Sequence, residues 1–252
     1  MPFMLADNGI VAPLPSGGGA FSANAVTFDG TADYFSDATP TTSDSKTFVL
    51  SLWMKLNASG DSTARTIISK RVLGGLSIDI RDDNVLSIAA YNSAGTQILE
   101  MYTNAGTTLL AADGWQHLLL SVDMAGLAQL YINDADDSPR IFGQTNDTIK
   151  HTDVHSLFNA NGAGGNAYFG DCAEFWLTHA TSLDLSVSAN RRKFISALGK
   201  PVDLGSDGST PTGTAPIRFF SGATASWATN KGTGGSVTFN GSLATAATSP
   251  SD

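Results

Sequence analysis

One cysteine, Cys172, stands in a chain of 252 residues, so no internal disulfide framework holds it together. Charged residues are sparse at 15%, and bases are outnumbered, 14 Lys and Arg against 23 Asp and Glu, for a net charge of −9. That balance argues against a nucleic-acid backbone as partner, because affinity for phosphates comes from the Lys and Arg that neutralise them. It argues equally against an anionic membrane surface. No stretch approaches the ~20 apolar residues of a membrane-spanning helix. The opening Met1-Pro2-Phe3-Met4-Leu5-Ala6-Asp7 has neither a basic region nor a long apolar run. A secretion signal is therefore not expected, and the chain should be soluble and fold where it is made. Glutamate is scarcer still: Glu100 and Glu174 are the two in the whole chain.

What is present is the material of many short strands. Gly, Thr, Ser and Ala are abundant, and apolar residues, 42% of the chain, suffice for one large core, so a single all-β domain is expected. The organising stretch is Gly114 to Asp123 followed by Leu127 to Asn133. Side chains alternate faces along a strand, so Leu118, Leu120 and Val122 share one side, answered by Leu130 and Ile132 in the next run. Gln129, Tyr131 and Asn133 take the other side. With Met124-Ala125-Gly126 as the turn, this reads as an antiparallel hairpin inside a two-sheet sandwich. Phe48 to Met54, Thr66 to Lys70, Leu76 to Ile80, Val85 to Ala90, Ile98 to Thr103 and Ala167 to Thr178 read as further strands. Leu50 and Leu52 join the expected core.

The ends differ from the middle. Residues 1–20 form an arm in which Phe3, Met4, Leu5, Ile10, Val11 and Leu14 are punctuated by Gly9, Pro13 and Pro15. Pro and Gly prevent a regular element while the apolar residues ask for burial, so a docking arm or a loose terminus is expected. Residues 134–166 read as irregular and polar. Between Leu185 and Gly199, Val187, Asn190, Phe194 and Leu198 recur at helical spacing behind Ser186 as N-cap, which predicts a helix near 186–198. Residues 201–252 form a turn-rich extension expected to close on the sandwich through Pro216 to Phe220 and Ser236 to Phe239, with an extended end from Thr245.

Several of these motifs resemble one family. Trp115-Gln116-His117-Leu118 with Leu130-Tyr131-Ile132-Asn133 is similar to the central hairpin of laminin-G-like, concanavalin A-like jelly rolls. Phe28-Asp29-Gly30 with Asp33-Tyr34-Phe35 looks like that family's opening strand, Phe48 to Lys55 like its Phe-to-Trp strand, and Tyr168 to Trp176 like its late strand. The resemblance covers roughly residues 24–198 and implies a two-sheet jelly-roll sandwich with one short C-terminal helix and the N-terminal arm. A second resemblance lies in Asp184-Leu185-Ser186, Asn190 to Phe194, Gly199 to Gly205, Asp207 to Gly213, Asn230 to Gly235 and Ser249 to Asp252. These look like the C-terminal part of tailed-bacteriophage virion proteins that carry this jelly roll.

Glycoside hydrolysis usually needs two carboxyls about 5–10 Å apart. Neither Glu100 nor Glu174 sits in the Glu-x-Asp-x-x-Glu pattern of the family's glucanases. Asp171 and Glu174 face opposite ways in a regular strand, unless a bulge intervenes. No Gly-x-Ser-x-Gly elbow appears, and His117 lies where the family motif has a structural histidine. His151 and His155 would share a face only on a helix, and no third zinc ligand is placed. Asp134, Asp136 and Asp137 offer hard oxygens suited to calcium, although Asp134 replaces the family's Gly after Asn133 and solvated turn residues are the plainer reading. Trp53, Trp115 and Trp176 lie on strands, which leaves Trp227, read as a loop residue, as the tryptophan to offer a glycan. No catalytic residue, metal or cofactor is assigned.

The expectation is a non-enzymatic virion structural protein, on the head or the tail, made in the bacterial host cytoplasm. It would act through contacts with other virion proteins, as a homo-oligomer, with Phe3, Met4, Leu5, Ile10, Val11 and Leu14 at the interface. The alternative is a carbohydrate-binding module for a host-surface glycan, and a glycan hydrolase is third.

Overall fold

The computed structural model describes residues 21–36, 43–58, 62–70, 74–152, 155–160 and 165–252. The arm, with Phe3, Met4, Leu5, Ile10, Val11 and Leu14, lies outside the described residues. In chain order the first strands are β1 (Val26–Asp29), β2 (Tyr34–Ser36), β3 (Thr47–Leu56), β4 (Arg65–Lys70), β5 (Gly75–Ile80), β6 (Leu86–Tyr91) and β7 (Gln97–Tyr102). Then come β8 (Gln116–Asp123), β9 (Ala128–Ile132), β10 (Ala135–Asp136), β11 (Arg140–Gln144), β12 (His155–Leu157) and β13 (Phe169–Thr178). A short helix α1 (Ser188–Arg191) precedes β14 (Arg218–Phe220), α2 (Thr224–Trp227), β15 (Thr238–Asn240) and β16 (Ala244–Thr245).

These strands form two antiparallel sheets. Sheet A runs β10-β9-β8-β3-β13-β1-β16, and β14 also pairs with β13. Sheet B runs β11-β7-β6-β5-β4-β12-β2-β15. The central hairpin has the register its alternation demands: Leu118 faces Ile132 and Leu120 faces Leu130. Leu50, Leu52, Leu118, Leu120, Val122 and Leu130 are all buried between the sheets, and Ile132 packs half-buried at their margin. Phe28, Phe35, Phe158, Phe175, Phe220 and Tyr168 fill one end of this core with ring-on-ring contacts.

The outer face of sheet A is also buried. Val49, Leu119, Tyr131 and Trp176 point away from the central core and pack under Leu185, Phe194 and Leu204. This second core explains why β3 is buried at nearly every position where a strand with one wet face would alternate. The covering segment is pinned at its ends by polar contacts. The Trp176 indole donates to the Gly208 carbonyl at 2.7 Å, and Gly208 leaves no room for a side chain because a Cβ would stand 2.9 Å from the Phe219 ring.

Three expectations need correction here. The helix is the single turn Ser188–Arg191, not a helix near 186–198. Val187 and Leu198 are exposed while Phe194 and Ile195 are buried, so the spaced apolar residues do not make one stripe. Arg191 donates to the Leu185 and Ser186 carbonyls, and Asn190 to that of Asp184, satisfying the segment's backbone from side chains rather than from a helical ladder. Residues 134–166 are not all irregular, since β10, β11 and β12 lie there. The chain end is not simply extended: beyond β16 it closes in a turn where Asp252 N–H donates to the Ser249 carbonyl.

Candidate functional site

The outward row of sheet B is polar and partly exposed. It comprises Ser77 and Asp79 on β5, Ser87 and Tyr91 on β6, and Glu100 and Tyr102 on β7, each half-buried. Asp79 accepts hydrogen bonds from Thr66 and Ser77, both at 2.6 Å, yet burial still raises its carboxyl above the usual range. Burial first, and then the charges of Asp79 and Glu100, push the Tyr91 phenol upward. The Tyr102 hydroxyl donates to Glu100 at 2.7 Å, and that bond leads the rise of its own pKa.

Around Tyr102 the row becomes a cluster. The Phe142 ring meets it edge-on at 5.4 Å, and the Arg81 guanidinium lies 5.4 Å from its centroid. Arg140 lies 6.0 Å from the Tyr102 ring and 5.9 Å from that of Phe142, while its Nε donates to the Thr103 carbonyl. Phe142 is 65% exposed because of a register shift: Ile141 faces Met101 and Gly143 faces Glu100, which leaves Phe142 as the bulged residue. Bulges of this kind re-aim a side chain at a sheet edge. An exposed aromatic, two guanidinium groups and a carboxylate on one surface can stack on a ring and hydrogen-bond its substituents.

Sheet A carries the second glutamate. A bulge between Ala173 and Trp176 sets Glu174 in β13 with φ 49°, while Phe175 keeps its place in the central core. The bulge brings Glu174 to the outer side, the side of Asp171, as a regular strand would not. The two still do not form an acid pair. Asp171 is held by the Thr27 hydroxyl at 2.6 Å and by Lys55 at 4.0 Å, whereas Glu174 lines a separate cavity with Asp203 and Lys231. Glu100 and Glu174 lie on the outer faces of opposite sheets.

Trp227, expected in a loop and offered to a glycan, requires correction. It ends α2 and is wholly buried against Phe28, Phe35 and Phe220, with no hydrogen-bond partner for its indole N–H among the described residues. Trp53 and Trp176 are buried too, and half-buried Trp115 donates to Thr248 at 3.1 Å.

The acidic loop is a clamp. Asn133 and Asp134 both take positive φ, at 51° and 69°, as a tight hairpin turn between β9 and β10 requires. Asp134 accepts from Arg191 Nε at 2.6 Å and from Arg192 at 2.5 Å, which hold its carboxyl below the usual range, the Arg192 bond foremost. Asp137 accepts the Asn104 N–H, and Asp136 the N–H of Ser138. Among the described residues no group of three ligating side chains could hold a metal.

Nor do the histidines converge on a metal. The His151 ring stacks on His179 at 3.7 Å, and burial drives the His151 pKa down to about 3. His117 is buried on the outer side of sheet A with its Nε2 2.9 Å from the Ser51 hydroxyl, and burial lowers its pKa to about 3. Asp153 and Val154 lie outside the described residues.

Sequence reasoning missed Phe142, Arg140 and Arg81. The signal available was Ile141-Phe142-Gly143, two consecutive large apolar residues before a glycine inside an otherwise polar stretch.

Comparison with known proteins bears on the fold. No curated protein matches the chain. Among solved structures, a candidate carbohydrate-binding protein from Bacteroides ovatus ATCC 8483 superposes with a TM-score of 0.57 at 14% identity, over 91% of this chain and 62% of that one. A native heptameric SAP-like pentraxin from Limulus polyphemus gives 0.47 at 13% identity, over 65% and 79% of the two chains. The receptor binding domain of botulinum neurotoxin mosaic serotype C/D gives 0.43 at 13%, over 56% and 35%. The laminin-G-type profile of the concanavalin A-like lectin/glucanases superfamily matches residues 29–182, which span the strands from the end of β1 through β13. With its two antiparallel sheets and its central hairpin in register, the chain belongs to that superfamily.

Proposed function

We propose that this chain is a non-catalytic recognition domain that binds a glycan on the outer face of sheet B. The observation that carries this reading is the Tyr102–Phe142–Arg140–Arg81–Glu100 cluster, in which a bulge turns an aromatic ring to solvent beside two cations and an acid. Stacking on the Phe142 edge would set the position of a sugar ring, and the charged groups would select its hydroxyls. The description of the Bacteroides ovatus protein as a candidate carbohydrate-binding protein is in keeping with this role. On sheet A, Asp171 is engaged by Thr27 and Lys55 and Glu174 lines a separate cavity, an arrangement that favours binding over hydrolysis there.

In the same reading the domain belongs to a tailed-bacteriophage particle, made in the host cytoplasm and assembled as a homo-oligomer with other virion proteins. The support is the resemblance of residues 184–252 to the C-terminal part of such proteins. Exposed Ile141 and Phe142 on the edge strand β11 favour a protein contact as the second use of this surface.

A glycan array probed with the purified full chain tests the reading. Specific retention is expected, weakened about tenfold or more by Tyr102→Ala and by Phe142→Ala, since about 1.4 kcal/mol of ring contact corresponds to a factor of ten. Absence of retention, or retention untouched by both variants, contradicts the sheet B site. Antibody labelling of phage particles tests the location, with unlabelled particles counting against it.

A further inference from the structure

We propose that the cavity at the β13 bulge is a second binding site, one that takes a single neutral polyhydroxylated ring. Its existence follows from the topology. β1 and β14 pair with the same edge of β13, β1 ending at Val26 opposite Cys172 and β14 at Phe220 opposite Phe175. Between these partners the two strands diverge, and Glu174 stands at the seam. On the other edge of β13 the bulge against β3 leaves Glu174 unpaired as well. The cavity that results has a volume of about 180 Å³.

Its chemistry narrows the ligand. Glu174 is 3% exposed, lines the cavity, and receives no hydrogen bond from any described residue. Burial, with some help from Asp203 and against Lys231, raises its pKa to about 8, so at neutral pH it is a protonated carboxyl that can donate as well as accept. Lys231 spends two of its three N–H groups on the Ser221 carbonyl and hydroxyl, at 2.8 and 2.9 Å. It senses the Glu174 charge without meeting it in an ion pair, which leaves a gap for a group able to bridge an acid and an ammonium. Asn24 and Ser22 add an amide and a hydroxyl at the exposed rim, and half-buried Phe21 supplies an apolar wall.

Each alternative ligand class meets an obstacle. An anion would face the Asp203 charge, and it would have to displace Lys231 from Ser221 to gain more than one of the ammonium N–H groups. A bare cation would face Lys231, and three metal-ligating side chains do not converge among the described residues. An apolar ligand would strand the buried Glu174 carboxyl without a partner. A neutral polyol fits, because every hydroxyl both donates and accepts. The volume corresponds to about six waters at ~30 Å³ each, and lies below the ~300 Å³ at which drug-sized sites begin, so one ring is the size expected.

Saturation-transfer NMR on the full chain tests this, with glucose, galactose, mannose, N-acetylglucosamine and rhamnose as probes and galacturonate as the charged control. At least one neutral sugar should give a signal that falls fivefold or more in Glu174→Leu and in Ser22→Trp. The first variant removes a buried carboxyl that has no partner, and the second fills the mouth from an exposed position, so neither should unfold the chain. Phe142→Ala should leave the part of that signal that the two cavity variants remove. No signal from any neutral sugar, a signal that survives both cavity variants, or a preference for galacturonate overturns the inference. If Phe142→Ala alone abolishes the signal, the sugar binds on sheet B, and the cavity inference falls while the proposed function stands.

Discussion

The two outer faces of this sandwich have opposite fates. On sheet A the outward residues Val49, Leu119, Tyr131 and Trp176 are nearly wholly buried beneath the segment from Leu183 to Leu204. On sheet B the outward residues Ser77, Ser87, Glu100 and Tyr102 are only partly buried. The cause is local composition. β3 and β8 are apolar on consecutive positions and so need cover on both sides, while β5 alternates as a strand with one wet face does. Burying each large apolar side chain contributes about 1.5–3 kcal/mol, which is enough to hold a segment that has almost no helix of its own. One face is thereby buried for stability, and the other is left open to solvent.

The largest test of that contrast is a pair of truncations. Leu120→Ala, in the central core, and Leu119→Ala, beneath the cover, should each cost about 2–5 kcal/mol in chemical denaturation. Ser87→Ala on sheet B should stay within about 0.5 kcal/mol. A Leu119→Ala change as small as that of Ser87→Ala would mean that the cover does not dock.

Acid should act next. Folded His117 and His151 hold pKa values of about 3, and His179 is also held well below 6.5, against about 6.5 when unfolded. The unfolded chain therefore binds more protons below pH 6.5, and stability falls as pH drops from there, by about 3 kcal/mol near pH 4 for each of His117 and His151. Glu174 has the opposite sign. Its native pKa of about 8 exceeds the ordinary 4.5, so its contribution declines as pH rises from 4.5 to 8. A stability maximum near pH 6.5 is expected in thermal melts, and Glu174→Leu should flatten the alkaline limb. A wild-type profile level between pH 4 and 7 would contradict the buried neutral imidazoles.

Loosening the clamp should cost less. Asp134→Asn keeps a residue tolerant of positive φ but removes the charge that Arg191 and Arg192 share. Because these groups are partly exposed, the expected loss is about 1–2 kcal/mol, shrinking in 1 M salt. A loss insensitive to salt would point to backbone strain instead. Smallest of all, Phe142→Ala should change stability by less than about 0.5 kcal/mol while weakening glycan retention about tenfold or more. A marked loss of stability would make Phe142 structural.

The hairpin Leu118 to Ile132 was legible in the sequence because alternation and a short turn fix register locally. The second core was not. Leu119 and Tyr131 read as an outward row, and only the distant return of Leu185, Phe194 and Leu204 decides that this row is dry. The helix predicted near 186–198 shrank to one turn for the same reason, since contacts with sheet A, not spacing, determine which side of that segment is buried. Trp227 read as a loop residue because nothing local announces that α2 inserts it among Phe28, Phe35 and Phe220. Phe142 and Glu174, the two residues on which binding is proposed here, both sit at bulges. A bulge is a mismatch between strands, visible only when both partners are known.

The most direct test of the contrast between faces is an amide chemical-shift map recorded while the strongest array glycan is titrated into isotope-labelled protein. Saturable shifts at Tyr102, Arg140, Phe142 and Gly143 are predicted, with Leu119 and Tyr131 under the cover unmoved. A glycan that binds while the β7–β11 edge stays silent would contradict the assignment of recognition to sheet B.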